Sequence, residues 1–98
     1  LDKIKRDDFA AHLNTKFRVN GEVDAELVEV SEIKRYPRQE SFSLLFLFPE
    51  NVAPIQGLFK FEHPQLGAHD LFIVPIEDAD DGLVFEAAFN RILPKDQR

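Results

Sequence analysis

Covalent and acid–base chemistry needs a nucleophile, a base and groups that hold them, and few residues here can serve. The chain has no cysteine, which removes thiolate nucleophiles, disulfides and thiolate metal ligands together. The hydroxyls are Thr15, Ser31, Ser41 and Ser43, and none sits in a G-x-S-x-G elbow between a strand and a helix. The three histidines, His12, His63 and His69, fall on different expected elements, without the spacing that sets two ligands on one helix face or strand. His63 ends an apolar strand face just after Glu62. Two roles stay open for it: an imidazole bonded to backbone at a strand end, which is favoured, and a general base or ligand. The acidic run Asp78-Ala79-Asp80-Asp81-Gly82 invites a calcium reading. It lacks the alternate-position carboxylates and closing glutamate of an EF-hand loop, and turn chemistry with glycine at positive φ explains it better. Four scattered glycines make no phosphate-cradling loop. The expectation is a protein that is not an enzyme, with no cofactor and no metal.

Charge narrows the partners. A formal net charge of −6 and a pI near 4.9 argue against a nucleic-acid footprint and against an anionic membrane surface. Lys34, Arg35 and Arg38 cluster, and the spacing suits a solvated loop better than a phosphate site. No apolar run approaches the roughly 18 residues of a membrane span; the longest, Leu44 to Pro49, suits a buried strand. Absence of cysteine fits a reducing cytoplasm. The chain starts at Leu1 and has no methionine, so a preceding N-terminal segment is expected, with room for a lost targeting signal.

The positioning elements follow from periodicity. Residues 1–14 read as a short helix with Asp7 as its N-cap, a stripe of Phe9, His12 and Leu13, and Asn14 as its end. From Phe17 the period becomes two. Asn20-Gly21 marks a tight turn. Val23 to Ile33 alternates with a slip of parity, which a β-bulge near Leu27–Val28 would explain, and Arg35 to Arg38 closes it as a loop. Ser41 to Phe48 is apolar at nearly every position and reads as a central strand covered on both sides. Gln56 to His63 alternates, with Phe59 and Phe61 on one face and Leu58, Lys60 and Glu62 on the other. His69 to Ile76 and Leu83 to Asn90 complete the set, and Pro94 with the charged end should fray. Ten of the eleven aromatics are phenylalanine, which belongs mainly in a core. Phe42, Leu44, Phe46, Phe59, Phe61 and Phe85 are the expected interior. Connections too short for parallel crossovers predict an antiparallel meander of five or six strands with an N-terminal helix, as a rolled sheet or small barrel, in one domain over residues 1–98.

A series of blocks runs through this frame: Phe42-Ser43-Leu44-Leu45-Phe46, Gln56-Gly57, Phe61-Glu62-His63-Pro64-Gln65-Leu66-Gly67, Leu71-Phe72-Ile73-Val74-Pro75-Ile76 and Glu86-Ala87-Ala88-Phe89-Asn90. In this order they resemble an uncharacterised family of short bacterial proteins, a domain of unknown function. The resemblance also takes in Asp8-Phe9 and His12. It implies a bacterial origin, a stand-alone domain and a neighbourhood of phage-tail-fibre-like genes, and it brings no catalytic residues.

Two classes of function follow. The favoured one is a non-enzymatic interaction, assembly or structural module of a larger bacterial complex, with a protein partner or a second copy and neither nucleic acid nor a membrane span. The other is a small-ligand-binding domain or enzyme with a pocket at the mouth of the rolled sheet. For the first, the expected contact is the C-terminal strand. Leu83, Phe85, Ala87, Ala88, Phe89 and Asn90 are apolar on one face, nearly uncharged and free of proline, so an exposed edge there would accept an added strand.

Overall fold

A computed structural model describes residues 6–92. The elements are α1 (Arg6–Ala10), β1 (Lys16–Val19), β2 (Val23–Val30), β3 (Lys34–Tyr36), β4 (Gln39–Phe48), β5 (Gly57–His63), β6 (Gly67–Ala79) and β7 (Gly82–Ile92). The mostly β, antiparallel architecture with an N-terminal helix is as expected. Among the described residues there are seven strands rather than five or six, and their order is β2-β1-β5-β6-β7-β4-β3 with β2 also pairing β4. That last pairing closes β1, β5, β6, β7, β4 and β2 into a six-stranded barrel, and β3 hangs from the start of β4. The path is no simple meander: β4 pairs with β7, and the connection through Pro49–Gln56 crosses the barrel end to reach β5.

Local chemistry sets the joints. Asn20 and Gly21 both take positive φ (53° and 68°), and the amide of Glu22 donates to the carbonyl of Val19 at 3.0 Å to close the β1–β2 turn. The side-chain Oδ1 of Asn20 also accepts from the amide of Lys60 at 2.9 Å, extending the β1–β5 ladder past the strand end. The pairing of β2 with β4 shifts register between Leu27 and Glu29, which places the expected bulge at Val28. A second shift lies in β6 between Pro75 and Glu77, where a proline without an amide hydrogen is tolerated. β6 is the barrel's corner strand: residues 67–73 pair with β5 and residues 73–79 with β7, Ile73 facing both Gly57 and Ala87.

The interior is filled with rings. Phe17, Phe46, Phe48, Phe61 and Phe85 are almost fully buried. Phe46 lies 5.3 Å from Phe17 and 4.7 Å from Phe61, and Phe48 lies 4.6 Å from Phe85, centroid to centroid. Leu44 is buried with them, while Phe42 and Phe59 are only partly buried against this core. The helix caps one end: Phe9 is 1% exposed and packs on Phe17 and Phe89. Asp7 lies within the first helical turn rather than at the N-cap, where its charge suits the helix dipole. Asn14 ends the turn at φ 68°, and its amide donates to the carbonyl of Leu27 at 2.7 Å. The residues before Arg6 assigned to this helix, and Pro94 with the charged end, lie outside the described residues.

Three more expectations need correction. Arg35 and Tyr36 belong to a strand: β3 forms a tight hairpin with β4, Tyr36 opposite Gln39. β4 is covered on one side only, since in a barrel the outer wall meets solvent; Leu44, Phe46 and Phe48 point inward and Leu45 and Leu47 are half-buried outside. Gly82 is no positive-φ turn residue. The positive-φ glycines are Gly21 and Gly67, and Gly82 is glycine because a β-carbon there would strike the carbonyl oxygen of Phe48 and lie 2.9 Å from Leu47.

Candidate functional site

Two places bring together residues able to act on something outside the chain, and they differ in kind. The first is a polar knot where the helix meets the barrel. The hydroxyl of Thr15 donates to the carbonyl of His12 at 2.6 Å. Its one proton being spent, it must accept from Nε2–H of His63, 3.0 Å away. Nδ1 of His63 in turn accepts from the amide of Gln65 at 3.1 Å. His63 is therefore neutral, in the Nε2–H form, with both nitrogens engaged. Burial, reinforced by the neighbouring His12 ring 4.7 Å away, lowers its pKa from the ordinary 6.5. His12 donates from Nδ1 to the carbonyl of Asp8 at 2.9 Å, and His69 donates from Nε2 to the carbonyl of Leu66 at 2.7 Å. An open depression of about 420 Å³ beside the knot is lined by Arg18, Glu62, His63, Pro64, Gly67 and Ala68. Its histidine is committed to structural bonds, of the backbone-bonded kind favoured from sequence.

The second place is the outer wall. Leu58 and Phe72 stand directly opposite each other on β5 and β6, 67% and 53% exposed. Ile76, at the β6 bulge, is 44% exposed. From there two cross-strand rows run over the wall. One is Val74, Glu86, Leu45 and Glu29; the next is Glu77, Val84, Leu47 and Glu26. The charges these rows carry on β6, β7 and β2 are all negative, the second row running on to Lys16 of β1, opposite Glu26. No ion pair involves those four glutamates among the described residues. The β6–β7 turn beside them adds Asp80 and Asp81. An aliphatic surface with a partly exposed ring, set among unpaired carboxylates, is the composition of a contact surface.

Over residues 83–87 the C-terminal strand does not offer the edge expected of it. β7 lies between β6 and β4, and residues 83–87 are paired on both sides. Leu83, Phe85 and Ala87 face the interior and are buried, Phe89 packs on Phe9 and Phe42, and only Ala88 and Asn90 are exposed. Residues 83–87 are thus closed to strand addition because β6 and β4 pair on their two sides, whereas residues 88–92 pair with β4 alone. The acidic run is also shorter than expected. Asp78 and Ala79 end β6, opposite Leu83 and Gly82, and only Asp80 and Asp81 make the turn. Lys34, Arg35 and Arg38 are exposed on the β3–β4 hairpin. The Thr15–His63 knot joins residues 48 apart and had no local signal. The wall had one: Leu58 alternates onto the side of Lys60 and Glu62, an apolar residue on a polar face.

Comparison with known proteins adds one relation. No curated protein and no solved structure matches the chain. Residues 4–89 match the family described as "Domain of unknown function (DUF6916)". With that match spanning most of the 98 residues, the chain belongs to this family.

Proposed function

We propose that this domain is a non-enzymatic interaction module that docks on another protein through the outer wall of its barrel. The observation that carries the reading is the cross-strand pair Leu58–Phe72, with Ile76 beside it, left exposed on a barrel whose phenylalanines otherwise fill the inside. Large apolar side chains grouped on a rigid sheet give up water at little conformational cost. The engaged nitrogens of His63 and the ring-filled interior favour this reading over a ligand pocket at the barrel mouth. The family resemblance extends it to assembly with a larger bacterial structure of the phage-tail-fibre kind.

Photo-crosslinking in the native host tests it. A benzophenone amino acid in place of Phe72 should give a discrete protein adduct, while the same probe in place of Gln65, exposed in the β5–β6 turn, should give none. Equal labelling from both positions, or none from position 72, would overturn the reading.

A further inference from the structure

The charges that make the outer wall acidic have their counterpart on the same molecule. The β3–β4 hairpin carries Lys34, Arg35, Tyr36, Pro37 and Arg38, all exposed. Arg35 is tied to Glu40 at 3.1 Å, whereas Lys34 and Arg38 make no ion pair among the described residues. Tyr36, the only tyrosine in the chain, is 54% exposed. A rigid hairpin presenting an aromatic ring between cations is a strong contact element, since tyrosine and arginine carry much of the energy at protein interfaces.

The hairpin and the wall lie at opposite ends of β4. β3 pairs with residues 39–41, whereas Leu45 and Leu47 belong to the acidic wall. At about 3.3 Å per residue those positions are on the order of 20 Å apart along a rigid strand, so one chain cannot close the contact on itself. Wall-on-wall pairing of two copies is disfavoured as well, because it sets Glu26, Glu29, Glu77 and Glu86 against their copies.

We propose that the chain associates head to tail with a second copy, the basic hairpin of one molecule seated on the acidic, apolar wall of the next. Lys34 and Arg38 then face Glu77 and Glu86, and the ring of Tyr36 packs on Phe72 and Ile76. This rests on the outer wall being a contact surface and adds what it contacts. Since hairpin and wall lie on the order of 20 Å apart on each copy, a docked pair keeps one of each free and the contact repeats as a linear chain. A hairpin on a sheet falls in the small interface class, below about 1,200 Å². The association is therefore weak, concentration-dependent and sensitive to salt.

Sedimentation velocity with charge-swapped chains tests this. At low salt the weight-average sedimentation coefficient of the wild type should rise with concentration towards about 1 mM, and the rise should vanish near about 0.5 M salt. The hairpin variant K34E/R38E and the wall variant E77K/E86K should each stay monomeric, and mixing them should restore assembly, because both swapped contacts are again complementary. Gln65→Glu, exposed in the β5–β6 turn and in neither surface, should behave as wild type, and circular dichroism should show every variant folded. A wild type whose sedimentation coefficient does not change with concentration overturns the proposal, as does either double variant assembling alone, or a mixture that stays monomeric. A monomeric wild type that still gives a heterologous adduct from position 72 removes the self-contact and keeps the docking wall; no assembly and no adduct removes both.

Discussion

At the scale of single residues, His63 is the informative position because its surroundings fix its protonation. A protonated ring would present two N–H donors, one of them to the amide of Gln65, and would place a charge in a buried site beside His12. The folded state thus holds the His63 pKa below the 6.5 it has when exposed. The unfolded chain binds the extra proton first, so stability should be level above pH 6.5 and fall as the pH drops towards the folded-state pKa. Melting curves between about pH 8 and about pH 5.5 should show that decline, and a Thr15→Val variant should be destabilised by about 1–3 kcal/mol at neutral pH by leaving the buried Nε2–H unpaired. Stability that rises on acidification through this range would contradict the assigned bonds. The backbone-bonded role of His63 at a strand end was legible in the sequence, but its partner was not: nothing local says that Thr15 waits there.

At the scale of elements, legibility followed the range of the signal. Period-two alternation located β1, β2, β5 and β7, near-continuous apolar runs located β4 and β6, the Asn20-Gly21 pair located the first turn, and a slip of parity located the Val28 bulge, because each is written into adjacent residues. β3 was passed over since three residues with charge and an aromatic carry no alternation. The pairing of β4 with β7 was beyond reach, since alternation tells which face a residue takes and not which strand lies alongside. That pairing explains Gly82, whose missing side chain lets the start of β7 close on the end of β4. Gly82→Ala forces a methyl against the backbone of Phe48, a contact that cannot swing away as a side chain can. Urea denaturation should show a loss of about 1–3 kcal/mol, the usual cost of overpacking. A neutral substitution would mean that the β4–β7 end is looser than the structure shows.

At the scale of the whole molecule, closure decides what the chain can offer a partner. A six-stranded barrel with β2 joined to β4 uses up most of its edges, which is how β proteins avoid indiscriminate strand pairing. Its large exposed apolar side chains Leu58, Phe72 and Ile76 lie on the outer wall, and β3 adds a hairpin at the start of β4. The last strand, an expected edge, is interior over residues 83–87 because β4 pairs with it on the side opposite β6. Closure also made alternation half-informative about the wall: Leu58 could be placed outside, whereas Leu45 and Leu47 read as buried because a run apolar on both faces resembles a strand between two layers.

That the barrel works through its wall and not its interior is open to one direct measurement. Hydroxyl-radical footprinting would compare the purified protein with the same protein in extract of its native host, reading the oxidation of each side chain by mass spectrometry. Leu58, Phe72 and Ile76, all exposed in the free chain, should lose several-fold of their oxidation in extract, while Ile92, exposed at the far end of β7, should change less. Unaltered oxidation at all three wall residues, with altered oxidation confined to His63, Pro64 and Ala68 around the depression, would contradict a wall-docking module and point to a ligand site in its place.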